Sequence, residues 1–189
     1  MHPLHKAVGD VLRSLEGPNV RVLLDSACGG EGQQIRLFGY EPVGNNSCLA
    51  WVDAAVVVNG EIQVVLEIDE SNVRPLYLCG KVFATALCNY SSRRGQRTPL
   101  AASLLFVQVI GTPKNEKSAK LRQCDYLERT INSIFETLDH RVHRYSFHHG
   151  TPEGFSKGDD GRTLCQEILT FLTSPTRILS TAEPHAKNL

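Results

Sequence analysis

Residues 51–71 read WVDAAVVVNGEIQVVLEIDES. Two runs rich in β-branched residues flank Asn59-Gly60, a dipeptide suited to a two-residue hairpin turn because such a turn needs positive φ at both central positions. The first run carries one acid, Asp53, among apolar neighbours, and the second ends in Glu67, Asp69 and Glu70, followed by Ser71. Carboxylates closing a strand that otherwise reads as buried are costly unless a cation compensates them. A divalent metal meets that need, since hard cations collect oxygens from converging acids. Asp53, Glu67 and Asp69 are therefore candidate metal ligands; the plain alternative is a solvated strand end.

The register decides between these. Along a strand, Glu67, Asp69 and Ser71 share one face, and Ile68 and Glu70 share the other. A two-residue loop sets Val58 against Glu61 and Asp53 against Leu66, which puts Asp53 on the face opposite Glu67. A three-residue loop with Gly60 left-handed sets Asp53 against Val65, and the two acids then share a face. A bulge near Asp53 makes the same correction, and bulges recur beside active sites. The metal reading thus requires one irregularity in the hairpin.

The rest of the chain supplies the setting. Residues 4–16, LHKAVGDVLRSLE, place Leu4, Val8, Val11, Leu12 and Leu15 on one helical face, and Gly17-Pro18 stops that helix. Val20 to Leu24 reads as a short strand or more helix, SACGGEGQ as a loop, and Ile35 to Phe38 as a strand. The hairpin strands cover 48–58 and 61–69, with even-numbered positions almost wholly apolar, as in a strand pair covered on both sides. Pro75 opens a helix running to Asn89, with Leu78, Val82, Phe83 and Ala86 as core. Residues 91–97, SSRRGQR, read as a basic loop, and Ala102 to Ile110 as a buried strand. A long helix over 115–138 carries the stripe Leu121, Tyr126, Leu127, Ile131, Ile134, Phe135 and Leu138. Val142 to His148 forms another strand, 150–161 a polar loop and 162–173 a last helix. This order implies an α/β fold, with a mixed central β-sheet and helices on both faces.

Composition bounds the function. The 189 residues, 41% apolar and 21% charged, suit one globular domain, expected over 1–174 with a frayed tail over 175–189. No run of about 18 apolar residues occurs, and MHPLHKAVGD lacks a signal-peptide apolar run, so a cytoplasmic, membrane-free location is expected. The net charge is zero, which leaves nucleic-acid binding to a local patch. Arg93, Arg94 and Arg97 are the candidates, seconded by Lys114, Lys117, Lys120 and Arg122. Six cysteines contain no C-x-x-C pair, which argues against a zinc ribbon or a dithiol motif and for buried thiols. His140, His143, His148 and His149 surround the last strand; His143 and the His148-His149 pair offer metal ligands or a general base, although the spacing fits no zinc motif, and His140 reads as a helix-end cap. No P-loop, G-x-G-x-x-G, G-x-S-x-G or H-E-x-x-H is present.

Asp53 on one hairpin strand, with Glu67-x-Asp69 ending the next, resembles the PD-(D/E)XK nuclease superfamily. More narrowly, Glu67-Ile68-Asp69-Glu70-Ser71 with Gly80-Lys81 downstream is similar to an E-x-E-x-S/T…G pattern of some restriction endonucleases, in which an acid replaces the usual lysine. The chain departs from the motif at Val52, where the superfamily has Pro, and at Asp69, which occupies the lysine position. Over residues 4–110 the resemblance implies an αβββαβ restriction-endonuclease-like core. It further implies hydrolysis of DNA phosphodiesters with Mg2+ or Mn2+, with Asp53, Glu67 and Asp69 as ligands. Lys81 would supply the positive charge that Asp69 lacks, unless it is only a surface lysine, and Glu31 or Glu41 would add a further acid. The type II enzymes that share such a pattern act as homodimers on short palindromic sites. Two rivals stand beside this reading: a non-catalytic protein of the same fold that binds nucleic acid or a protein partner, and an α/β metal-dependent hydrolase with a small substrate.

Overall fold

A computed structural model describes residues 2–32, 34–40, 47–70, 74–112, 119–138 and 140–174. Glu41, Ser71, Lys114, Lys117, the side chain of Lys120 and the expected tail lie outside the described residues. The chain is mixed α/β, with eight strands in one sheet of mixed direction. Helix α1 (Pro3–Arg13) leads into strands β1 (Val20–Leu24), β2 (Ile35–Phe38), β3 (Cys48–Val52), β4 (Ala54–Val58) and β5 (Glu61–Asp69). Helix α2 (Pro75–Ala86), β6 (Tyr90–Arg93), β7 (Gln96–Gly111) and α3 (Ala119–Phe135) follow. Strand β8 (Val142–Gly150) and helices α4 (Pro152–Lys157) and α5 (Asp159–Thr173) complete the fold.

The strand order is β1-β4-β5-β7-β6-β2-β3, with β8 on β7. Strands β1, β4 and β5 form an antiparallel meander, whereas β7 runs parallel to both β5 and β8. Each parallel step takes a helical crossover, α2 and then α3. The core divides across the sheet. Leu4, Val8 and Leu12 of α1 and Leu164, Ile168 and Phe171 of α5 cover one face, against Val56, Val64 and Leu66. Val82 of α2 and Ile131 and Phe135 of α3 cover the other, against Val57, Ile62 and Val65. Gly9 lets α1 lie directly on the loop after β1, because a Cβ there would collide with the Cys28 carbonyl oxygen.

Three sequence expectations need correction. The strand expected over 48–58 is two strands, broken at Asp53. Strand β3 pairs only with β2, while β4 pairs with β1 and β5, so the chain changes partners at that residue. The expected basic loop at 91–97 is a β6–β7 hairpin turning at Arg94 and Gly95, both at positive φ (50° and 79°). The long β7 begins there and changes partner along its length, from β6 to β5 and β8. Finally, the polar loop at 150–161 contains α4, whose first turn is capped by the Thr151 hydroxyl, which accepts from the Gly154 amide. Three of the cysteines, Cys28, Cys88 and Cys124, are buried, and burial pushes the Cys124 thiol up to about 11.

Candidate functional site

The turn at Asn59-Gly60 has two residues, with φ of 52° and 88°. Taken alone, it would have sent Asp53 to the wrong face. The register slips, however: Val58 pairs with Glu61, Val57 with Ile62, and Val56 with Val64. Gln63 is the extra residue of a bulge, so Ile62 and Val64 point to opposite faces although they lie two apart. Beyond the bulge the ladder ends at Ala54 and Leu66, one residue short of Asp53, whose amide turns to the same Leu66 carbonyl. That slip lies beside the turn, and the ladder breaks a second time at Asp53.

Asp53 is held on three sides. Its amide donates to the Leu66 carbonyl at 3.1 Å, its carbonyl accepts from the Asp25 amide at 2.9 Å, and its Oδ2 accepts from the Ile68 amide at 2.7 Å. The side chain thus occupies the Ile68 amide at the point where β4 ends, which is why the chain bends there. Glu67 is 3% exposed, and its neighbour along the strand face is Asp69. Lys81, from the middle of α2, places Nζ 2.9 Å from Glu67 Oε2 and 3.3 Å from Asp69 Oδ1. Gln108 of β7, itself buried, donates Nε2 to Asp69 Oδ2 at 2.7 Å. The structure therefore joins Glu67, Asp69 and Lys81 at one end of the β5–β7 ladder, with Asp53 just before β4 nearby.

The electrostatics of this cluster are unbalanced. Burial pushes the Glu67 carboxyl well above its ordinary range, and the nearby Asp53 pushes it further, against the pull of Lys81. Burial also raises Asp53, despite the Ile68 amide and His5. Burial would lower Lys81, yet Glu67 and Asp69 hold it above the usual lysine value. One ammonium serves several acids, and it does not restore ordinary acidity to Glu67.

Sequence reasoning missed three neighbours. His5 donates or accepts through Nδ1 with Glu70 Oε1 at 2.9 Å and sets Nε2 3.7 Å from Asp53 Oδ2. The same Glu70 oxygen accepts from the Leu4 and His5 amides at 2.9 and 3.1 Å, so Glu70 anchors the start of α1 instead of facing the acids. Asp25, immediately after β1, and Gln108, the lone polar residue of its buried run, were visible as anomalies in the sequence. His5 had no such signal. Among the described residues, only His2, His5 and Glu70 bring one ligand atom each within 4.8 Å of one another; Asp53, Glu67 and Asp69 do not.

The other candidates disperse. Glu31 pairs with Arg94 at 3.0 Å and so belongs to the basic turn and not to the acids. Arg97 lies over the Tyr90 ring, 3.8 Å from its centroid. Arg93 and Arg94 line a concavity of about 580 Å3 together with Ser26, Gln34, Arg36 and Ser92. Arg122 is exposed on α3. The histidines do not converge: His148 contacts Glu167, His140 packs its ring 4.2 Å from that of Phe135, and His143 is exposed. No described helix is long and apolar enough to cross a membrane. Comparison with protein-family models, with curated proteins and with solved structures finds no match to this chain.

Proposed function

We propose that this chain is a metal-dependent endonuclease hydrolysing DNA phosphodiesters. Asp53, Glu67 and Asp69 are its divalent-cation ligands, and Lys81 is the cation beside the reacting phosphate. One observation carries the reading: Glu67 is buried beside Asp69 and near Asp53, and among the described residues Lys81 is the one ammonium in contact with Glu67 and Asp69. The donor set is all oxygen, which suits Mg2+ or Mn2+, and a bound cation would draw together three carboxylates whose oxygens do not all lie within 4.8 Å of one another. Supporting it is the succession of α1, the β1–β4–β5 meander, α2 and parallel β7, which has the order of the αβββαβ core of the resembled nucleases. Strands β2, β3 and β6 are additions to that order.

A bound divalent cation would polarise a phosphoryl oxygen and lower the pKa of the attacking water. The residues themselves do the rest. The Ile68 amide fixes the Asp53 carboxylate in rotation, and Gln108 does the same for Asp69. Lys81, within reach of both Glu67 and Asp69, takes the place that the motif's own lysine leaves to Asp69 and meets the charge developing on the phosphate.

The test is Mg2+-dependent cleavage of DNA, measured on supercoiled plasmid and on a single strand alike. Asp53→Ala and Glu67→Ala are each expected to reduce cleavage by about a thousand-fold or more, since the metal contributes several kcal/mol and each 1.4 kcal/mol is tenfold. Thermal unfolding should remain cooperative in both variants. Retained activity, or no calorimetric binding of Mg2+ or Ca2+ to the wild-type chain at millimolar concentration, overturns the proposal and favours the non-catalytic rival.

A further inference from the structure

A groove of about 370 Å3 opens beside the acid cluster, and its lining is of two kinds. Glu67 and Lys81 contribute the chemistry, while Leu49, Trp51, Leu76 and Tyr77 contribute apolar surface. Three of these apolar residues stand largely in solvent: Trp51 is 57% exposed, Tyr77 61% and Leu76 82%. The strand pattern puts Trp51 there. Ile35, Leu37 and Val52 of the β2–β3 pair enter the core, so the alternating Arg36 and Trp51 face outward. These two are direct cross-strand partners and therefore neighbours on that outer face.

Arg36 is also part of the concavity that holds Arg93 and Arg94. The Trp51–Arg36 pair thus joins the groove beside Glu67 and Lys81 to a patch of guanidinium groups. Aromatic faces for bases next to cations for phosphates are what a nucleic-acid strand needs to bind without pairing. A base inside a duplex already has both faces covered by its neighbours and cannot lie on an indole. A second copy of this chain covering the apolar wall would bury Glu67 and Lys81 with it.

We propose that this groove seats an unpaired base of a DNA strand against Trp51 and Tyr77, with adjoining phosphates over Arg36, Arg93 and Arg94. The substrate is then unpaired DNA, a single strand or an opened end, and not an intact duplex. The inference rests on the nuclease reading for its cleavage step but is tested by binding alone.

Trp51 is the only tryptophan of the chain, so its emission reports the groove directly. The full chain, free of divalent metal, is titrated with a thymidine oligonucleotide of about a dozen nucleotides and, separately, with a duplex sealed by hairpins at both ends. The strand should quench Trp51 saturably, bind at least about tenfold more tightly than the sealed duplex, and weaken as salt rises. Tyr77→Ala should weaken it by about five- to a hundred-fold. Trp51→Ala, read by anisotropy of a labelled strand, should do likewise, and Arg93→Ala should flatten the salt dependence. The inference is overturned by an unchanged emission up to about 100 µM strand, by equal binding of the sealed duplex, or by an emission that follows protein concentration and is indifferent to DNA, which would reveal a self-association face. Plasmid cleavage without strand-induced quenching refutes this seat and leaves the nuclease standing. Quenching without cleavage in Mg2+ or Mn2+ does the reverse.

Discussion

Two glutamates sit on opposite sides of the sheet in similar company and come out differently. Glu167 of α5 meets His148 Nε2 at 2.5 Å, the Ser146 hydroxyl at 2.7 Å and Arg144 at 2.8 Å. Burial alone would raise its pKa, but the hydrogen bonds from His148 and Ser146 overcome that and hold it below the ordinary range. Glu67 has Lys81 and acidic neighbours, and it is driven the other way. A carboxylate whose donors outweigh its burial is part of the scaffold, here tying α5 to β8. One left short of donors marks a place where another cation is wanted. The same contrast sets His148 Nε2, picked out by its neighbours in sequence, beside Glu167 in this tie between helix and strand.

If that contrast holds, substitutions at the two sites should fail in different ways. The largest effect is on chemistry: Glu67→Ala loses metal-dependent cleavage with little change in unfolding, as above. Glu167→Ala should do the opposite, costing about 2 kcal/mol in urea unfolding as His148 and Arg144 lose their acceptor, with cleavage per folded molecule retained. Equal losses of activity at both sites would erase the distinction. A smaller effect is expected at Lys81. Lys81→Met should cut cleavage by about a hundred-fold while tightening divalent-metal binding in calorimetry, because the ammonium no longer competes for Glu67 and Asp69. Unchanged cleavage would return Lys81 to the role of a surface residue.

What the sequence disclosed follows from how local each signal is. The Asn59-Gly60 turn was legible because its φ requirement is met by those two residues and nothing else. The alternation of apolar positions failed at Gln63, since a bulge there is set by how two strands pair and not by the residue itself. The break at Asp53 was equally hidden: it needs the Ile68 and Asp25 amides, which arrive from other strands. Lys81 was legible as a candidate from its helix, although its reach to Glu67 depends on where the crossover lays α2. The β6–β7 hairpin escaped because Arg94, a residue that rarely takes positive φ, occupies the turn position usually held by Asn or Asp. His5 reaches Asp53 only through tertiary packing.

The pH dependence sharpens the contrast further, with a smaller effect of fixed sign. A raised carboxyl stabilises the fold fully below its unfolded pKa, and this stabilisation is lost as pH rises through the folded value; that is the case of Glu67 and Asp53. A lowered carboxyl stabilises the fold above its unfolded pKa and loses the effect as pH falls through the folded value; that is Glu167. Divalent metal binds the deprotonated acids, so millimolar Mg2+ should raise Tm at neutral pH and leave it unmoved near pH 4, below the ordinary glutamate pKa of about 4.3. Glu167→Gln should flatten the acid limb of the Tm profile without touching the metal effect. A wild-type profile that is the same with and without metal at every pH would mean that Glu67 is as well served as Glu167, and the asymmetry between the two sites would carry no function.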